Sequence, residues 1–212
     1  MPSEENARKL GLLGGTFDPV HLGHLIAAEE VRVQLGLEKV LFIPARQSPL
    51  KQDRLSSPVT ERLAMVEMAI ASNPYFAVSR VEIERDSPSY TIETVRYLLE
   101  KEGPGASLYF MVGLDQAASL PRWKDPGPLM EICHLVLMSR PGWTPLDFDF
   151  LERYIPQARE RILSVQVPAI GISSTEIRRR VSQGLSIKYL APERVEEYIL
   201  GHGLYTTAAS IP

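Results

Sequence analysis

The sequence predicts an α/β fold with a doubly wound, mainly parallel sheet and a small helical C-terminal subdomain. Three observations carry that prediction. Short apolar runs alternate along the chain with longer segments of helical pattern. The first run ends in two glycines and passes at once into a helix, the kind of turn at which such sheets bind ligands. Beyond Pro145 the pattern becomes mostly helical.

Lys9 to Leu13 reads as a buried strand running into Gly14-Gly15, and Leu22 to Leu35 as a helix closed by Gly36. Val40 to Ile43 is a second strand, stopped by Pro44. Ser57-Pro58 opens a helix that runs through Ser72, with Ser57 as N-cap and Pro58 in the first helical position. Tyr75 to Val81 is strand-like, and Thr91 to Lys101 is helical with Gly103 as its stop. Leu108 to Val112 and His134 to Met138 read as buried strands. Ser173 to Gln183 and Pro192 to Leu200 are the clearest C-terminal helices, and Thr206 to Pro212 is expected to fray. This is a Rossmann-like order. Residues 1–212 read as one domain, with 1–144 as the α/β core and 145–212 as the helical part; 145–165 carry no legible pattern.

Composition excludes several function classes. A chain of 212 residues buries roughly 70% of its unfolded surface and needs no staples to build a core. A net charge of -3 argues against bulk nucleic-acid binding, although one small basic pocket remains compatible with it. The single cysteine, Cys133, lies in the apolar run Ile132 to Met138. It reads as a core residue, and neither an internal disulfide nor a cysteine-based zinc site is possible. No basic segment followed by an apolar stretch opens the chain, and no run approaches the ~18 apolar residues of a membrane span. A cytoplasmic protein with no membrane partner is expected.

The informative stretch is Gly14-Gly15-Thr16-Phe17-Asp18-Pro19-Val20-His21-Leu22-Gly23-His24. Two glycines let the backbone turn sharply and approach a ligand. A helix start then offers N–H donors and a positive dipole end, which together suit an anion. Neither a G-x-G-x-x-G pattern nor a P-loop is present, and His21 and His24 are not spaced as a zinc-binding H-E-x-x-H. Three residues apart, the two imidazoles share one face of the first turn and can donate to phosphate oxygens. Gly23 between them leaves room for the ligand. A second candidate start lies at Gly171-Ile172-Ser173-Ser174-Thr175-Glu176-Ile177-Arg178-Arg179-Arg180. Ser173 and Glu176 form a capping box, and Arg178 follows about one turn later.

Together these two stretches resemble the H-x-G-H and I-S-x-T-x-x-R signatures of the nucleotidylyltransferase superfamily. Ser89-Tyr90-Thr91, Gly113-Leu114-Asp115 and Trp123 further resemble its bacterial nicotinate-mononucleotide adenylyltransferase branch. The resemblance implies that His21, His24 and Arg178 are catalytic, contacting the ATP phosphates as pyrophosphate leaves. It implies ATP contacts at Gly14, Gly15, Thr16, Phe17, Lys51, Ile172, Ser173 and Ser174. It implies that Tyr90, Thr91 and Trp123 hold the pyridine ring and that Gly113 and Asp115 meet the ribose. Pro49-Leu50-Lys51 departs from the family's frequent P-P-H-K, with Leu50 where an imidazole often stands.

By that resemblance the chain joins ATP to nicotinate mononucleotide, forming nicotinate adenine dinucleotide and pyrophosphate in NAD biosynthesis. Mg²⁺ is the implied cofactor, held mainly by the ATP phosphates with no protein metal site. Alternatives stay open: an enzyme also accepting the nicotinamide nucleotide, another superfamily adenylyltransferase such as the phosphopantetheine enzyme, or a nucleotide-binding sensor without turnover. Oligomeric state, a homodimer included, is not legible.

Overall fold

A computed structural model describes residues 8–46, 56–86, 89–117, 119–139 and 147–206, the side chains of Leu114 and Asp115 excepted. Alternation decides which face each strand presents. β1 (Arg8–Gly15) sends Leu10 and Leu12 into one apolar cluster and Leu13 into another. β4 (Ala106–Gly113) does the same, with Leu108, Phe110 and Val112 on one side and Tyr109 and Met111 on the other. Both faces are covered, which is why these strands read as unbroken apolar runs.

β2 (Lys39–Pro44), β3 (Phe76–Val78), β5 (His134–Ser139) and β6 (Ile162–Gln166) complete the sheet. The order is β3-β2-β1-β4-β5-β6, and every pairing is parallel. The chain winds from β1 to one edge, then crosses back to β4. The seam between β1 and β4 is therefore the topological switch point, where doubly wound sheets bind nucleotides beyond the carboxyl ends of their strands.

α1 (Leu22–Leu35) and α2 (Val59–Ile70) cover the face that holds Leu13, through Ala28, Val31, Met65 and Val66. α3 (Val81–Glu84), α4 (Thr91–Glu102), α5 (Leu114–Ala117), α6 (Pro126–Ile132), α7 (Phe148–Glu152) and α8 (Ala158–Arg161) cover the other. α9 (Ser174–Ser182) and α10 (Glu193–Gly201) return to the first face and place Ile177, Val181, Val195 and Ile199 in the cluster with Ala28 and Met65. That return carries the second motif back toward the first.

Three elements differ from the sequence reading. β6 lies within the part expected to be helical. It is an edge strand with exposed Ser164 and Gln166, so it lacks the continuous apolar run of its neighbours. α2 starts after Pro58, which is itself the N-cap, and stops at Ile70 rather than Ser72. The strand expected over Tyr75 to Val81 is only three residues long, because Val81 already opens α3. Cys133 is buried, and that burial pushes its thiol up to about 12, in keeping with an unreactive core residue.

Candidate active site

The loop leaving β1 is held from within. Phe17 adopts a left-handed backbone (φ 49°), which costs about 1–2 kcal/mol for a side chain of this kind. Its buried ring holds it there, edge-on to His24 at 5.1 Å and against Phe42 at 5.8 Å. Behind the loop stands Arg62, almost fully buried. It donates to the carbonyls of Thr16 at 2.7 Å, Ser57 at 3.1 Å and Arg46 at 3.3 Å. Burial pulls its guanidinium below the usual range, while nearby Asp18 and Tyr205 oppose that pull.

His21 is not inside the helix; it is the extended N-cap of α1. Its backbone N–H donates to His24 Nδ1 at 3.2 Å, and the two rings stack at 3.7 Å with 23° between their planes. A Cβ on Gly23 would come within 3.0 Å of the His21 ring. Glycine is thus what lets the imidazoles stack. Of the first-turn amides, Leu22 donates to the Leu190 carbonyl, and His24 and Leu25 donate to that of His21. Among the described residues the Gly23 N–H is left as the first-turn donor for a ligand.

The start of α9 is pinned to this loop. Arg178 Nη1 donates to the Asp18 carbonyl at 2.5 Å, and Ser174 Oγ to that of Pro19 at 2.8 Å. The Ile172 carbonyl lies 3.7 Å from where a Gly23 Cβ would be. Only half of the expected capping box forms. Ser173 Oγ accepts from the Glu176 N–H at 3.2 Å, but the Glu176 carboxylate is taken by Arg179. His21, His24, Arg178, Ile172, Ser173 and Ser174 are therefore drawn together, although 155 residues separate Ser174 from its partner Pro19.

A second group gathers across the seam. Gly113 ends β4 and pairs with Met138, and α5 carries the Asp115 backbone just beyond. Tyr90 is the N-cap of α4 and Thr91 its first residue, with no side chain among the described residues capping that start. Lys124 Nζ lies 4.5 Å from the centre of the Tyr90 ring and pairs with Glu93 at 2.6 Å, drawing the Glu93 carboxyl below its ordinary range. The Trp123 indole N–H donates to Ser119 Oγ at 3.1 Å, and its ring meets Phe110 of β4 edge-on at 6.0 Å. It is a half-buried, anchored aromatic. Lys124 thus joins the segment carrying Trp123 to the helix start carrying Tyr90 and Thr91.

Residues 12–180 match the model of the family described as cytidylyltransferase-like. The chain belongs to that family. A probable nicotinate-nucleotide adenylyltransferase of Roseiflexus castenholzii is 46% identical over 197 residues, covering 93% of this chain and 98% of that protein. A protein of the same name from Thermomicrobium roseum is 43% identical, covering 96% and 94% of the two chains. A nicotinic acid mononucleotide adenylyltransferase from Plasmodium falciparum, complexed with APC, shares the fold at a TM-score of 0.74. Its identity is 17%, and the match covers 93% of this chain and 97% of that one.

Set on the family fold, one expected contact, Lys51, lies outside the described residues, as does the Asp115 side chain. The structure adds residues that the sequence reading passed over. Asp18 is buried in the loop, its carboxylate accepting from the Ser57 N–H at 3.3 Å and the Tyr205 hydroxyl at 2.7 Å. Arg62 had a readable signal: it falls on the stripe of Met65, Val66, Ala69 and Ile70, a lone charge on the buried face of α2. Among the described residues no helix is long and apolar enough to cross a membrane.

Proposed function

We infer that this chain transfers the adenylyl group of ATP to nicotinate mononucleotide, giving nicotinate adenine dinucleotide and pyrophosphate. The observation that carries it is the pinning of α9 to the β1–α1 loop. It ties Arg178 to the loop that leads into the stacked imidazoles, in a chain whose relatives bear that activity in their names. The mononucleotide phosphate is largely dianionic near neutrality, its second pKa being ~6. It attacks the α-phosphorus of ATP, forming one P–O bond as the bond to the departing pyrophosphate breaks. A general base is not required; catalysis rests on in-line placement and on offsetting the charge of the two phosphates.

His21, His24, Arg178 and the Gly23 N–H are the donors we assign to the phosphates, with Lys51 beside them. The Asp18 carboxylate has both oxygens engaged, so we expect Mg²⁺ to be held by the ATP phosphates, where it offsets their charge. Tyr90, Thr91 and Trp123 are assigned to the pyridine end, and Gly113 with Asp115 to the ribose.

The test is pyrophosphate release from ATP and Mg²⁺ with a panel of mononucleotides and phosphopantetheine. Turnover with nicotinate mononucleotide is expected. ATP binding without release would instead favour a sensor, and turnover with phosphopantetheine a different branch. A finer prediction concerns Arg178, whose planar fork is oriented by Asp18 and Thr175. Arg178→Lys should raise KM for ATP about tenfold, the scale of one lost charge-assisted hydrogen bond. Arg180→Lys should be nearly silent, because Arg180 donates to the Ser186 carbonyl instead. Equal effects at the two positions would reduce the basic run to a diffuse field.

A further inference from the structure

The residues around Asp18 pose an electrostatic problem that Tyr205 answers. Asp18 is buried beside two arginines: Arg178 donates to its backbone carbonyl, and Arg62 lies within electrostatic reach. A buried carboxylate in such a place ordinarily pairs with a guanidinium, because a bidentate pair offsets the desolvation of both charges. Among the described residues it does not do so here. Arg62 turns Nε and both Nη atoms to the carbonyls of Ser57, Thr16 and Arg46, and Arg178 gives two of its five N–H donors to the Asp18 carbonyl and Thr175 Oγ1. One Asp18 oxygen is held by the Ser57 N–H and the other by the Tyr205 hydroxyl, 187 residues away in sequence.

Tyr205 follows α10, in a turn where the Leu204 N–H donates to the Ile199 carbonyl and both residues pack on the core. The C-terminal segment therefore reaches back to the phosphate loop through one phenol. We propose that Tyr205 is a positioning residue: by holding the Asp18 carboxylate it keeps that group off Arg178, so that the guanidinium is left for a nucleotide phosphate. Burial and the Asp18 carboxylate hold the phenol far above its usual range, so it stays a donor. The proposal rests on the reading of ATP as substrate. It does not depend on which mononucleotide is joined to it.

The experiment is calorimetric binding of ATP with Mg²⁺ to the full chain and to three variants, alongside steady-state KM for ATP. Tyr205→Phe deletes one oxygen and keeps the ring, so the packing is retained. Freed, Asp18 should turn to Arg178 and weaken ATP about tenfold, as loss of one charge-assisted contact does, while KM for the mononucleotide stays within about threefold. Asp18→Asn removes the charge that needs holding. In the pair Asp18→Asn with Tyr205→Phe, ATP affinity should return to within about threefold of Asp18→Asn alone. A Tyr205 role in folding alone would not be rescued by that second change.

Unchanged ATP affinity in Tyr205→Phe overturns the proposal, and so does a double variant no tighter than Tyr205→Phe. If Tyr205→Phe fails to fold, Asp18→Asn decides: an ATP affinity more than about tenfold weaker would make the carboxylate itself necessary, against the proposal. Tight ATP binding without turnover on nicotinate mononucleotide would sink the adenylyl-transfer reading while leaving this one standing. A wild-type chain that binds no ATP would sink both.

Discussion

Replacing His24 with alanine is expected to lower kcat about 10²-fold or more, the usual loss when one preorganised donor is removed from a developing charge. The structure says why this ring is preorganised. Its Nδ1 accepts from the His21 N–H at 3.2 Å, which places the proton of the neutral ring on Nε2 and leaves that nitrogen as the donor. The ring is held on one face by His21 at 3.7 Å and at its side by Phe17 at 5.1 Å. It cannot swing without unstacking. A donor held this way costs no reorganisation when pyrophosphate begins to leave.

Stability should fall slightly as well. Alanine leaves the His21 N–H without its acceptor, worth about 1 kcal/mol, and so roughly 2–4 °C in Tm for a chain of this size. His24→Asn separates the two effects. Its side-chain oxygen can cap His21 and recover the melting temperature, but an amide at that position does not reach where Nε2 was, so the rate should stay low. The measurements are steady-state kcat at saturating substrates and thermal unfolding of the three proteins. Near-normal turnover in His24→Ala would remove the imidazole pair from the chemistry.

How far the site could be read from sequence depended on the range of each interaction. The strands β1, β4 and β5 announced themselves because burial on both faces makes each an unbroken apolar run. β6 did not: one side is exposed, and Ser164 and Gln166 break the run. The local anchors of the site were equally visible, since a glycine turn entering a helix and a serine cap are written within a few residues. What joins them was not. The bonds from Arg178 to Asp18, Ser174 to Pro19 and Tyr205 to Asp18 each span more than 150 residues, 160, 155 and 187 respectively. No local pattern encodes them; the return of α9 and α10 to the face of α1 does. Arg62 lies between these cases. Its place on an apolar stripe was legible, while its three carbonyl partners come from loops that only the fold brings together.

The acid, nicotinate mononucleotide, should be used at least tens-fold better than its amide, a discrimination on the scale of one or two mismatched buried hydrogen-bonding groups. The start of α4 supplies the physical reason. Tyr90 caps it through its backbone carbonyl, which accepts from the Glu93 and Thr94 amides, and among the described residues no side chain caps the turn. The preceding amides, those of Thr91 and Ile92, are first-turn donors that want an acceptor. A carboxylate offers only acceptors. A carboxamide turns an NH₂ toward one of those donors and leaves both unpaired. Glu93, in the same turn, would repel a second carboxylate, but Lys124 at 2.6 Å and Arg85 at 3.9 Å hold its charge. Lys124→Ala should therefore narrow the preference by exposing that repulsion, whereas stacking on Trp123 would serve both rings alike and cannot create it. The comparison is kcat/KM for the two mononucleotides at saturating ATP and Mg²⁺, in the wild-type chain and in Lys124→Ala. Equal use of acid and amide by the wild-type chain would refute the assignment of the α4 start to the pyridine substituent, and the adenylyl-transfer chemistry at the β1–α1 loop would stand without it.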